Sequence, residues 1–269
     1  MLKQRIITAL VLGPLAIAGV FLLPATEFAI FIGLVLTIAA WEWGNFARFD
    51  GAARFAYAGL IAVLMVGSLW LPAEAVLVVG LLWWIAAFVF VLQYPARASL
   101  WSGRATLSLL GILVLVPGFV SLQVLKRMPD SNFLILLLFL LIWGADIGAY
   151  FTGRAFGRAK LAPAVSPGKS WAGVYGGIVT AALIAAGMAL WFGKPALDTG
   201  RGLLFLGLCS FVVIVSVLGD LTLSMFKRNR GIKDSSSLLP GHGGVLDRID
   251  SLLSAGPLFA FFMLWFGWN

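Results

Sequence analysis

The chain has 269 residues, 61% of them hydrophobic and 11% charged, with a mean hydropathy of +1.03. Soluble domains carry about a quarter charged residues, so this composition excludes a water-soluble globular fold and points to a polytopic membrane protein. The formal charge of +8 suits nucleic acid or anionic lipid until the positions of the charges are considered.

The N-terminal stretch MLKQRIITALVLGPLAIAGVFLL joins a basic start to an apolar run from Ile6 to Leu23. That run is long for a cleaved leader, lacks a small-residue cleavage site and is followed by more apolar segments. It therefore reads as an uncleaved first helix. Apolar stretches of about 20 residues recur nine times, centred near Gly13, Leu34, Val63, Leu82, Val114, Leu138, Thr180, Phe211 and Phe259. The expected fold class is an all-α membrane bundle of about nine transmembrane helices, one domain over residues 1–269. Residues 1–130 supply about five spans, and 131–269 supply the rest together with the charged motifs. Polar connections fall at 46–54 and 93–104, with longer ones at 153–169 and 227–250. The single cysteine, Cys209, lies in an apolar run, so no intramolecular disulfide is available.

Nine spans place the N-terminus on the same side as the connections after spans two, four, six and eight. That side holds Lys3, Arg5, Arg48, Arg54, Arg97, Arg104, Arg154, Arg158, Lys160, Lys169, Lys227, Arg228, Arg230, Lys233 and Arg248. The opposite side holds Lys126, Arg127, Lys194 and Arg201. Fifteen against four is a strong positive-inside bias, so the N-terminus is expected in the cytoplasm. The net charge then reflects topology and lipid phosphate, which argues against a nucleic-acid partner. The ionisable groups gather at one end of the bundle. A transporter typically buries them near the bilayer midplane, so chemistry on a polar substrate at the membrane surface fits better.

Three constellations carry that chemistry. Asp220 lies near the cytoplasmic end of span eight, with Ser224 one turn on and Lys227 and Arg228 following. An aspartate at a span centre costs roughly 2.5–3.5 kcal/mol and is by default a functional candidate, although one near the interface can snorkel or pair with a lysine. Asp247 and Asp250, in LDRID, are three residues apart and share one helix face at the start of span nine. Helix capping accounts for one aspartate there. Two adjacent carboxylates make sense around a divalent cation, and hard oxygen ligands suit Mg²⁺. Just upstream, PGHGG (Pro240 to Gly244) reads as a glycine-rich anion nest against a helix N-terminus, with Gly243 and Gly244 facing phosphate and His242 either donating to phosphate or bracing the turn. Lys227, Arg228, Lys233 and Arg248 surround these carboxylates. Metal-binding carboxylates beside phosphate-binding cations are the inventory of phosphoryl or nucleotidyl transfer.

The third constellation, IWGADIGAYFTGRAFGRAKLAPAVSPGKSWAG, contains Asp146 and Tyr150. Its Gly168-Lys169-Ser170 is not a P-loop: Pro163 stands where the first glycine belongs, and no strand precedes it. Ser166, Lys169 and Ser170 stay candidates for phosphate contact at the entrance to span seven. Glu42, between two tryptophans in WEWGNF, reads equally as a site member or as a packing partner for a basic residue.

The run from Ser224 to Asp250 resembles the signature of the phosphatidate cytidylyltransferases, the CDP-diacylglycerol synthases of bacteria. It has Ser224, Lys227-Arg228, Lys233-Asp234, Ser236, Leu239-Pro240, His242-Gly243-Gly244 and Asp247-Arg248 followed by Asp250. WGADxGAY, GRxFGRxKLAP, SPxK and the opening MLKQRIITAL are similar to the same family, so the likeness covers nearly the whole chain. The resemblance implies attack of the phosphatidate phosphate on the α-phosphorus of CTP, giving CDP-diacylglycerol and pyrophosphate, in phospholipid biosynthesis. It implies Mg²⁺, with room for a second cation, held by Asp220, Asp247 and Asp250 with Asp146 contributing. Lys227, Arg228, Lys233, His242 and Arg248 would hold triphosphate or phosphatidate, with Ser224 and Asp234 part of the same substrate site. A homodimer in the bacterial inner membrane, with its site facing the cytoplasm, is also implied. The chain departs from the family pattern at Ile147, Ala164 and Ala172, where polar residues are usual. Two rival readings use the same residues: a carrier of phosphorylated lipid, and a CTP-dependent lipid kinase that transfers the terminal phosphate.

Overall fold

A computed structural model describes residues 2–192 and 200–266, with the side chains of residues 2–5, 7 and 9 left aside. Lys194, counted above among the cations of the far side, lies outside the described residues, as do the side chains of Lys3 and Arg5.

Nine α-helices, one for each expected span, are found among the described residues: α1 Leu2–Phe21, α2 Ala25–Phe46, α3 Gly51–Ser68, α4 Ala73–Gln93, α5 Arg104–Arg127, α6 Ser131–Phe156, α7 Trp171–Phe192, α8 Gly200–Arg230 and α9 Leu246–Trp265. Seven of them, α2 to α8, are long and apolar enough to cross a membrane. α1 has a shorter apolar run, Leu10–Phe21, and α9 opens with Asp247, Arg248 and Asp250 in its first two turns. The chain is a multi-pass membrane protein. Two expected connections are shorter than the sequence suggested. α6 runs on through Gly153 and Arg154 to Phe156, and α8 through Lys227 and Arg228 to Arg230, with Gly157 and Gly231 following their last residues. Gly231, at φ +76°, ends α8, and the Ile232 N–H turns back to the Lys227 carbonyl at 2.9 Å.

Beside the expected all-α bundle the described residues hold one small sheet. Residues Lys160–Ala162 (β1) and Ser166–Ser170 (β2) pair antiparallel as a small hairpin, with Lys160 opposite Ser170 and Ala162 opposite Ser166. Val165 at its tip is buried, and Ser170 accepts the Gly173 N–H at 3.2 Å, capping α7. Ser170 is therefore a helix cap, where the sequence made it a candidate phosphate contact.

α9 sits at the centre of the bundle, packed on α8 and α5 and touching α2, α4 and α6. Its middle carries the buried small residues Ser251, Ser254, Ala255 and Gly256, which let neighbouring backbones come close where apolar burial gives little drive within lipid. Gly219 of α8 is one such crossing: a methyl group there would stand 2.7 Å from the Asp250 carbonyl oxygen. The α6–α7 pair is built the same way, Gly173 and Gly177 lying against the Ala149 and Ala145 carbonyls.

Hydrogen bonds join the alternate connections at one end of the bundle. Arg104 Nη2 donates to the Arg48 carbonyl at 3.1 Å, Arg230 Nε to Asn45 at 3.0 Å, and Arg228 Nε to Val165 at 3.3 Å. Thr8 of α1 donates to the Pro240 carbonyl at 3.0 Å.

Candidate active site

The end of the bundle closed by these bonds holds two lysine–aspartate pairs. Lys169 reaches from β2 to Asp220 of α8, Nζ to Oδ2 at 2.6 Å, and Ser224 one turn along donates to Asp220 Oδ1 at 3.1 Å. Lys227, itself buried, bonds Asp247 Oδ1 at 2.7 Å. Asp250 follows on the same face of α9, and its Oδ1 accepts the Ser251 N–H at 2.7 Å. Asp146, Asp220, Asp247 and Asp250 have Lys169 and Lys227 as their cationic neighbours, and Asp220 lies within electrostatic range of both Asp146 and Asp250. The carboxyl groups here outnumber the ammonium groups four to two.

The connection 231–245 folds over this cluster as a tight loop. The Leu239 N–H donates to the Gly243 carbonyl and the His242 N–H to the Leu239 carbonyl, both at 2.8 Å. Gly241 and Gly243 have φ of +78° and +84°, a region that side-chain-bearing residues rarely adopt. Asp247 buckles the loop: its Oδ2 accepts the Ser235 N–H at 2.8 Å, the Ser235 hydroxyl at 3.0 Å and the Gly244 N–H at 2.9 Å. Arg248 Nη2 holds the His242 carbonyl at 2.7 Å. Lys233, Asp234 and Arg248 are exposed, as is Arg228.

A cavity of about 360 Å³ opens between α6, α7, α8 and the hairpin. Asp146, Tyr150 and Arg154 line it from α6, Lys169 from β2 and Val217 from α8. Its volume is at the lower end of ligand-site sizes, and polar groups converge on one part of an otherwise apolar wall. Such a shape suits a molecule with a charged head and an apolar body.

The sequence matches the profile of the Cytidylyltransferase family over residues 3–266. The chain belongs to that family. This family member is accordingly a nucleotidyltransferase. A phosphatidate cytidylyltransferase of Pseudomonas aeruginosa is 53% identical over 272 residues, covering 100% of this chain and 99% of the relative. One from Haemophilus influenzae is 42% identical over 286 residues, with 97% and 98% covered. A third, from Brucella suis, is 37% identical over 271 residues, with 97% and 93% covered.

Some of the expected site residues are brought together, whereas Arg228, Lys233, Asp234 and Arg248 stay exposed. Asp220, Ser224, Lys227, Asp247, Asp250 and Lys169 come together at the crossing of α8, α9 and the hairpin, with Asp146 beside them. Ser166 is half-buried in β2. The four aspartates expected to share a cation do not form one cluster. Among the described residues no group of three or more acidic, histidine or cysteine side chains surrounds a single point. Asp247 is largely taken up within the protein: Oδ1 accepts from Lys227, and Oδ2 accepts from the Ser235 and Gly244 N–H groups and the Ser235 hydroxyl. Asp220 and Asp250 keep acceptor capacity, and two carboxylates completed by water and substrate phosphate are a donor set that Mg²⁺ accepts. The backbone of PGHGG was expected to face an anion, yet the Gly244 and His242 N–H groups are spent inside the protein. Of the residues that depart from the family pattern, Ile147 on α6 and Ala164 in the hairpin turn are exposed, and Ala172 in the first turn of α7 is half-buried.

Glu42 is the participant the sequence undervalued. It is fully buried: its carboxylate accepts the Ser235 and Ser236 hydroxyls and the Val245 and Leu246 N–H groups, and the Arg54 guanidinium lies within electrostatic range of it. A lone acidic residue within an apolar span was the available signal.

Proposed function

We propose that the chain is a phosphatidate cytidylyltransferase, joining CTP and phosphatidate into CDP-diacylglycerol and pyrophosphate. The near full-length likeness to relatives carrying that name supports this reading. The observation that carries it structurally is a cavity with a charged end and apolar walls, lined by Asp146 and Lys169, whose Lys169 pairs with Asp220 on the helix that also carries Lys227 of the buried Lys227–Asp247 pair. In the reaction a phosphate oxygen of phosphatidate forms a bond to the α-phosphorus of CTP, and the bond from that phosphorus to the bridging oxygen breaks, releasing pyrophosphate. The nucleophile is already an anion, so no strong base is required. The task is to bring two polyanions together and to balance charge on the leaving group.

Lys227, desolvated beside Asp247, supplies a fixed positive charge, and Lys169 on the hairpin supplies one that can turn from Asp220 to phosphate. Asp220 and Asp250 would hold Mg²⁺, with Asp146 adjacent. When bound, the ion would offset negative charge on the triphosphate. Arg154 and Tyr150 line the cavity at the level a lipid headgroup would occupy. The positive-inside bias puts this end of the bundle on the cytoplasmic side, where CTP is available, in the inner membrane. The resemblance adds a homodimer as the expected assembly.

The decisive assay incubates purified protein in detergent with phosphatidate, Mg²⁺ and CTP labelled at the α-phosphate. Label should enter the lipid, with stoichiometric pyrophosphate. Binding of both substrates without transfer would instead favour a carrier, and label entering the lipid in a parallel reaction with CTP labelled at the γ-phosphate would favour a kinase.

A further inference from the structure

α9 begins without a cap of its own. Its N-cap position is Val245, which has no side-chain oxygen to receive the free N–H groups of the first turn. A carboxylate from the other half of the chain takes that place. Glu42 Oε1 accepts the Val245 N–H at 3.0 Å and the Ser236 hydroxyl at 2.5 Å; Oε2 accepts the Leu246 N–H at 2.6 Å and the Ser235 hydroxyl at 3.1 Å. A negative charge also complements the positive end of the helix dipole.

The fit has no slack. A methyl group on Gly244 would collide with both Glu42 Oε1 and Ser235 Oγ. Glu42 is itself held rigidly. Next to it, Trp43 donates from Nε1 to the Leu107 carbonyl at 2.8 Å and packs edge-on against Phe226 of α8. On the other side the Arg54 guanidinium stacks 3.5 Å over the Trp41 ring. Ser235 is shared, since its hydroxyl lies within hydrogen-bond distance of both Glu42 and Asp247 and its one proton serves either carboxylate. The chain of contacts thus runs from α2 through the loop to the carboxylate that anchors Lys227.

We propose that Glu42 is a positioning residue for nucleotidyl transfer, a remote cap that sets the loop 235–246 and the start of α9 so that Asp247, Lys227 and Asp250 keep their relative placement. It touches no substrate and acts through the loop. The inference rests on the cytidylyltransferase reading above.

The test compares Glu42→Gln, Glu42→Asp and Ser236→Ala with the unaltered full chain in detergent, with specific activity referred to folded protein. An amide can offer one acceptor oxygen but turns N–H groups toward a backbone N–H. Glu42→Gln should therefore lower kcat about 10- to 100-fold, the scale of a misplacement remote from the chemistry, with KM for CTP within about threefold. Glu42→Asp keeps both acceptor oxygens and should retain more activity than Glu42→Gln. Amide exchange should quicken over 235–246 and stay unchanged in the hairpin at 160–170. The double variant Glu42→Gln/Ser236→Ala should lose less than the two single losses combined. A Glu42→Gln enzyme with kcat within about twofold of the unaltered chain, or with unchanged exchange over 235–246, overturns the proposal. Should Glu42→Gln not fold, Ser236→Ala carries the test, and unchanged kcat and loop exchange there overturn it. An unaltered chain that transfers no label from CTP to phosphatidate would overturn the functional reading instead, while the exchange comparison still decides what Glu42 holds.

Discussion

Asp247 and Asp250 lie one helical turn apart on α9, and their surroundings separate them. Asp247 is nearly buried and locked by Lys227 and by three donors from the loop. Asp250 has one bond, from the adjacent Ser251 N–H, among the described residues. Asp247→Asn would leave Lys227 buried without its partner, which costs about 3–5 kcal/mol when a buried pair is broken. The expected outcome is a clearly lowered thermal midpoint together with loss of transfer. Asp250→Asn should abolish transfer with a small change in that midpoint, because no lysine is orphaned. Thermal unfolding in detergent alongside the labelled-CTP assay reads both. Equal destabilisation by the two substitutions would contradict the division of roles. The three-residue spacing of these aspartates was legible in the sequence, but their division of labour was not. Spacing tells which side chains share a face, whereas partners come from loop residues that fold back onto it.

At the scale of elements, hydropathy marked each helix because a bilayer demands about 20 apolar residues per crossing whatever else the helix does. It missed the hairpin at 160–170. Its strands are three and five residues long and mostly polar or glycine- and proline-bearing, so they lack the alternation that announces a strand. The hairpin matters because β2 alternation turns Lys169 toward Asp220 while Ser170 caps α7. Both side chains of the Lys169–Asp220 pair remain partly exposed, at 25% and 30%. Such a pair contributes about 0–1 kcal/mol. Lys169→Ala should therefore move the thermal midpoint by no more than about 4 °C while lowering kcat at least about tenfold through the lost phosphate contact. A large stability loss with near-normal kcat would make Lys169 a strut and not a substrate contact.

For the molecule as a whole, the arginine bonds that join the connections after α2, α4, α6 and α8 require those connections to share one side. The excess of Lys and Arg there predicts that this side is the cytoplasm. Single cysteines can check it, since the native Cys209 is fully buried and should give little background labelling. In intact bacterial cells, Ser131→Cys at the start of α6 should react with a membrane-impermeant thiol reagent, whereas Ala98→Cys between α4 and α5 should react after the membrane is opened. The reverse pattern would invert the topology and place the site away from CTP.

The sequence alone determined the membrane class, the number and order of the helices, the clustering of charge at one end and the family. Each follows from composition, from local spacing or from a contiguous run such as Ser224 to Asp250. Tertiary structure alone decided which aspartate binds inward and which remains available, that a hairpin brings Lys169 to Asp220, and that Glu42 caps a helix about 200 residues further along. The physical reason is the same in each case. A buried carboxylate must find hydrogen-bond donors, and here the donors come from segments far apart in the chain, at positions that local pattern does not encode.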